Sequence, residues 1–108
     1  MRIRNSNDEG MKQIDSEKVI ERKLVEAVKL KGGMCIKLLT NQFIGLPDRM
    51  CLFPNMIIVF VELKTTGQKP RKIQSLVHNK LRVLGFRVEV IDTIEGITKF
   101  VDSITLNT

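Results

Sequence analysis

At 108 residues, with 43% hydrophobic residues and a formal net charge of +6, the chain has room for one small core and not for two domains. No apolar run approaches the roughly twenty residues of a membrane span, and no secretory leader is recognisable, so the expected compartment is the cytoplasm. Cys35 and Cys51 lie in apolar stretches without CxxC spacing; one disulfide is possible, but two buried free thiols fit those neighbours better.

Residues 1–11 read as a flexible polar lead-in and residues 12–108 as the folded domain. Asp15 or Ser16 can cap a first helix running to about Lys31, with Val19, Ile20, Leu24, Ala27 and Val28 as its apolar stripe and Gly32-Gly33 as its stop. A strand over 34–39 and a polar loop over 40–47 follow. A short strand over 49–53 turns at Pro54-Asn55 into a longer one over 57–63, an antiparallel hairpin. After a loop, Pro70 suits the first turn of a second helix whose stripe is Ile73, Leu76, Val77, Leu81 and Leu84. A fourth strand spans 86–91, and a closing helix over 93–103 buries Ile94, Ile97, Phe100 and Val101. The order α-β-β-β-α-β-α predicts an α/β sandwich. Its central sheet is mixed, because a helical crossover most naturally delivers a parallel neighbour.

Charge is unevenly spread. Seven basic residues and no acidic one lie between Lys64 and Arg87, while the remainder of the chain sums to −1. Such a block is either a solvated helix face or a grip for a polyanion. Glu62 tilts the balance towards the second. It ends the apolar run Ile57 to Val61, and Lys64 points to the same side two residues on. A carboxylate there is costly unless it is paired or binds a metal. The hairpin brings Asp48 alongside it, and Mg²⁺ is held by one or two carboxylates while keeping several waters. Asp48 and Glu62 are therefore the candidate metal ligands, with the Leu63 carbonyl as a possible neutral oxygen. Lys64 can orient the attacking water or stabilise developing charge in phosphodiester hydrolysis. The competing readings are an Asx-turn at Asp48 and a plain Glu62–Lys64 ion pair. His78, the one histidine, reads as a surface or partly packed residue rather than a base.

Asp48 with Glu62-Leu63-Lys64 matches the PD-(D/E)xK pattern of the restriction-endonuclease-like superfamily. The segments Glu17-Lys18-Val19-Ile20-Glu21, Gly32-Gly33, Gly45-Leu46-Pro47-Asp48-Arg49, Val61-Glu62-Leu63-Lys64, Gln74 and Leu84-Gly85-Phe86-Arg87-Val88 resemble, in order and spacing, the VRR-NUC nuclease domain. The resemblance covers roughly residues 12 to 102 and suits a stand-alone phage or bacterial member, which places a phage-encoded protein in the host cytoplasm. It implies a restriction-endonuclease-like core and a Mg²⁺- or Mn²⁺-dependent, structure-selective DNA endonuclease, similar to Holliday junction resolvases and acting as a homodimer. The family's metal ligands then fall on Asp48 and Glu62 and its lysine on Lys64. Its helix-one glutamate, which completes the metal shell, falls on Glu21, with Glu17, one turn earlier on the same face, as the alternative. Its glutamine falls on Gln74, with Lys69, Arg71 and Lys72 as further substrate-binding candidates. The loop Asn41-Gln42-Phe43-Ile44 departs from the family in lacking basic residues.

Two other readings stand beside this one. The first is a nuclease acting on flap or duplex DNA; the second is a basic DNA-binding module without catalysis, its acidic residues forming ion pairs.

Overall fold

The computed structural model describes residues 13–105. The expected lead-in over 1–11 lies outside the described residues. Helix α1 (Glu17–Leu30) starts at Ser16, whose side chain accepts the Val19 N–H at 3.2 Å. Strands β1 (Met34–Lys37), β2 (Arg49–Phe53) and β3 (Ile57–Leu63) form an antiparallel meander. Helix α2 (Lys72–Val83) crosses over to β4 (Arg87–Ile91), which pairs with β3 in parallel, and α3 (Ile94–Asp102) closes the order. The sheet runs β1-β2-β3-β4. The expected fold class and element order hold. Several boundaries move by one or two residues: β1 ends at Lys37 rather than 39, α2 begins after Arg71 rather than at Pro70, β4 starts at Arg87 rather than 86, and α3 spans 94–102 rather than 93–103.

Strand parity divides the sheet into two unlike faces. On one face Cys51, Phe53, Val59, Val61, Leu63 and Ile91 pack against Ile20, Leu24 and Val28 of α1 and Ile97 and Phe100 of α3, together forming the core. On the other face, among the described residues, only α2 lies, and it covers part of the sheet. Uncovered there are Met34, 64% exposed, and Ile58, Phe86 and Val90, each between 37% and 38% exposed. The Phe60 and Phe86 rings meet edge to face on this side, with centroids 5.5 Å apart.

The expected buried stripe of α2 holds only in part. Val77 is buried and Leu81 half-buried as expected, but Ile73, Leu76 and Leu84 are exposed, and Gln74 and His78 face inward in their place. The cause is Glu62, whose even position on β3 puts a buried carboxylate under the helix. An apolar stripe laid over it would leave that carboxylate without partners, so α2 turns polar side chains inward. His78, expected at the surface or partly packed, is 1% exposed. Among the described residues no helix is long and apolar enough to cross a membrane.

Candidate active site

The site forms at the end of the sheet where β2 begins and β3 finishes. Arg49 pairs with Val61 across the ladder, so Asp48 stands beside the last residues of β3. Its backbone carbonyl accepts the Leu38 N–H at 2.8 Å, and its Oδ2 accepts the Leu63 N–H at 2.8 Å. The carboxylate thus bridges strands instead of closing a local turn. Gly45 makes this approach possible. It sits at φ 98°, and a Cβ there would stand 2.7 Å from Val77 Cγ2 and 2.9 Å from the Ile73 carbonyl. The backbone is thereby pressed onto α2 just before the buried Pro47 and Asp48.

Glu62 is 1% exposed. Its Oε2 receives Gln74 Nε2 at 3.1 Å and lies 3.2 Å from Lys64 Nζ. Gln74 is fixed at its other end, where Oε1 accepts the Arg71 N–H at 2.8 Å. Burial, and then the negative charge of Asp48, push the Glu62 carboxyl up to about 7, with Lys64 opposing them. Behind Glu62, His78 Nε2 lies 3.7 Å from Oε1, and neither atom has a hydrogen-bond partner. Burial, then the cations Arg82 and Lys64, push His78 below its ordinary value.

Glu17, Asp48, Glu62, Lys64, Arg71 and Gln74 line a single cleft of about 520 Å³. Of the two helix-one candidates, Glu17 is therefore the one gathered with the sheet-end groups. Glu21 lines an adjoining recess with Glu17, Lys18, Lys37 and Asp48, and its Oε2 is held by Arg49 Nη2 at 3.4 Å. Arg71 reaches the cleft, while Lys69 and Lys72 stand exposed near it.

Sequence reasoning passed over the residues that tie these parts together. Thr66 Oγ1 donates to the Asp92 carbonyl at 2.6 Å, and the Asp15 N–H donates to Thr66 Oγ1 at 2.9 Å. Asp15 Oδ2 in turn accepts the Ile94 N–H at 2.9 Å, and the Glu17 N–H reaches Thr65 Oγ1 at 3.3 Å. The polar loop after Lys64 thus moors the start of α1, and Glu17 with it, to the end of β3. The one local hint was a pair of threonines following the motif. Cys35 and Cys51, directly opposed in the β1–β2 ladder, are free thiols with sulfurs 3.9 Å apart.

Among the described residues no three His, Cys, Asp or Glu side chains converge closely enough to cage a metal ion. Two carboxylates beside an open cleft still suit Mg²⁺, which retains much of its water and takes one or two carboxylates. The repulsion between Asp48 and Glu62 is the local feature that fits a cation, since a positive charge there would relieve it.

A mixed sheet with helices on both faces, carrying an acidic pair and a lysine at adjoining strand ends, defines a nuclease core of the PD-(D/E)xK kind. Over 77 residues the chain is 40% identical to the protein named "Putative nuclease p44" of Acyrthosiphon pisum secondary endosymbiont phage 1, spanning 71% of this chain and 83% of that protein. A solved structure of a VRR_NUC domain matches it with a TM-score of 0.77 at 25% identity, covering 84% of this chain and 100% of that one. No family model matches the chain. The chain belongs to the VRR-NUC nucleases.

Proposed function

We propose that this nuclease is a Mg²⁺-dependent DNA endonuclease, with Mn²⁺ as a substitute, that selects branched DNA and resolves four-way junctions as a homodimer in the cytoplasm. One observation carries the reading: Glu17, Asp48, Glu62 and Lys64, drawn from three segments of the chain, line one cleft. When bound, the cation supplies Lewis-acid stabilisation of the phosphoryl charge and an acidified water.

The protein's own groups do the rest. Asp48 and Glu62 hold the cation, with the Leu63 carbonyl as a neutral oxygen donor. Glu17 takes the helix-one role, because the Glu21 carboxylate is engaged by Arg49. Lys64, 3.2 Å from Glu62, orients the attacking water or stabilises charge as the bond breaks. Gln74 fixes the Glu62 carboxylate, and Lys69, Arg71 and Lys72 engage phosphates, so binding weakens steeply with salt. The half-open apolar sheet face around Met34, Ile58 and Phe86 supports a twofold dimer. Two sites related by that axis suit symmetric cutting of a junction.

The test is cleavage of matched four-way junction, flap, single-stranded and duplex DNAs in Mg²⁺ and in Mn²⁺, with Glu62→Ala and Lys64→Ala as controls. Paired symmetric nicks in the junction, lost in both variants, are expected. Preferential cutting of flaps or duplex overturns the substrate assignment. Binding without cleavage under either metal overturns catalysis on DNA.

A further inference from the structure

Behind the cleft, a second polar contact to Glu62 is built from groups that the reaction does not consume. His78 and Glu62 are each 1% exposed, and Nε2 of one lies 3.7 Å from Oε1 of the other. Both atoms are buried and lack a hydrogen-bond partner. Such orphaned atoms are costly unless they satisfy each other, and a sub-ångström side-chain adjustment brings this pair within hydrogen-bond distance. The opposite oxygen, Oε2, is taken by Gln74 and Lys64 on the cleft side. Gln74 and His78 are four residues apart on α2, one helical turn, and so grip the two edges of the same carboxylate.

We infer that His78 is a positioning residue that donates Nε2–H to Glu62 Oε1 and thereby sets the plane in which Glu62 presents its other oxygen to the cation. The inference rests on the proposed role of Glu62 as a metal ligand. A neutral imidazole carries one N–H, and a carboxylate oxygen can only accept, so the contact requires the Nε2–H tautomer. Partners behind a metal-ligating side chain orient it, and removing them characteristically costs affinity.

The experiment uses the whole chain and three variants: His78→Leu, which fills the space without a donor, His78→Gln, whose amide nitrogen reaches a similar point, and Glu62→Ala. Mn²⁺ affinity is read from the free-ion EPR signal. Because the chain has one histidine, its ¹⁵N spectrum reports the tautomer without ambiguity. The Nε2–H tautomer is expected, with Mn²⁺ binding weakened by roughly 10- to 100-fold in His78→Leu and restored to within about threefold of native in His78→Gln. Native affinity in folded His78→Leu overturns the inference, as does equal weakening in both His78 variants, which would mean packing alone. The Nδ1–H tautomer in the native protein overturns it even if His78→Leu fails to fold. Undiminished Mn²⁺ binding by Glu62→Ala overturns the metal assignment and this inference together, whereas its loss there beside native affinity in His78→Leu overturns this inference alone.

Discussion

Glu17 and Asp48 share a cleft although 31 positions separate them in the chain. Glu21, one turn further along the same helix, instead faces Arg49. That difference separates two roles that the family resemblance left open between them. Glu17→Gln is expected to lower single-turnover cleavage by roughly 10- to 100-fold, as loss of a group ordering metal-bound water does. Glu21→Gln should leave cleavage near native while lowering stability by about 1 kcal/mol through loss of its partly buried ion pair. Denaturant titration beside cleavage assays distinguishes them, and the reverse pattern would return the role to Glu21.

Glu62 links stability to pH. Its carboxyl is raised in the folded protein to about 7 from an ordinary 4.5 by burial and the Asp48 charge. Between those values the native state binds a proton that the unfolded chain has lost. Stability from this group is therefore full below the unfolded value and lost as pH rises through about 7. Measured as native minus Glu62→Gln, the loss between pH 5 and 8 should be at most about 3 kcal/mol, with the lowered His78 working in the opposite sense. Saturating Mg²⁺ should flatten the curve, since a cation favours the ionised carboxylate. A flat curve without metal would show that Glu62 is already charged.

Gly45→Ala tests how firmly the site is pinned to α2. The backbone there is left-handed, at φ 98°, and the added methyl would collide with Val77 and the Ile73 carbonyl. The expected loss is about 1–3 kcal/mol from backbone strain, seen in the denaturation midpoint, with further loss from overlap. Cleavage should fall as well, because Asp48 follows three residues later.

Ile58→Glu addresses assembly. Ile58 lies on the uncovered sheet face, 37% exposed and away from the cleft. Light scattering behind a sizing column should show a dimer for the native chain and a folded monomer for the variant. A native monomer would overturn the homodimer, and a dimeric variant would move the interface elsewhere.

Much of this arrangement was legible in the residues. Alternation and the Pro54-Asn55 turn placed the hairpin, and the hairpin placed Asp48 beside Glu62. The inward face of α2 was legible only at Val77 and Leu81, because Ile73, Leu76 and Leu84 extend the more apolar stripe and periodicity follows hydrophobicity alone. Only the demand of a buried carboxylate for partners turns Gln74 and His78 inward, and that demand acts between elements. The signal was present as two polar residues one turn apart opposite an acidic strand position. The Asp15–Thr66 contact, spanning 51 positions, left no local signature at all.

The parallel pairing of β3 with β4 also sets a timetable. Glu62 and Lys64 are made early, but the Lys64 N–H is satisfied by the Ile91 carbonyl, and the Asp15 carboxylate by the Ile94 N–H. Both partners follow the motif by more than 25 positions. A protein emerging from the ribosome amino end first cannot close this cleft until residues 91–94 have followed. Incomplete chains, including those cut short by a premature stop before residue 91, therefore carry the motif without the means to cut.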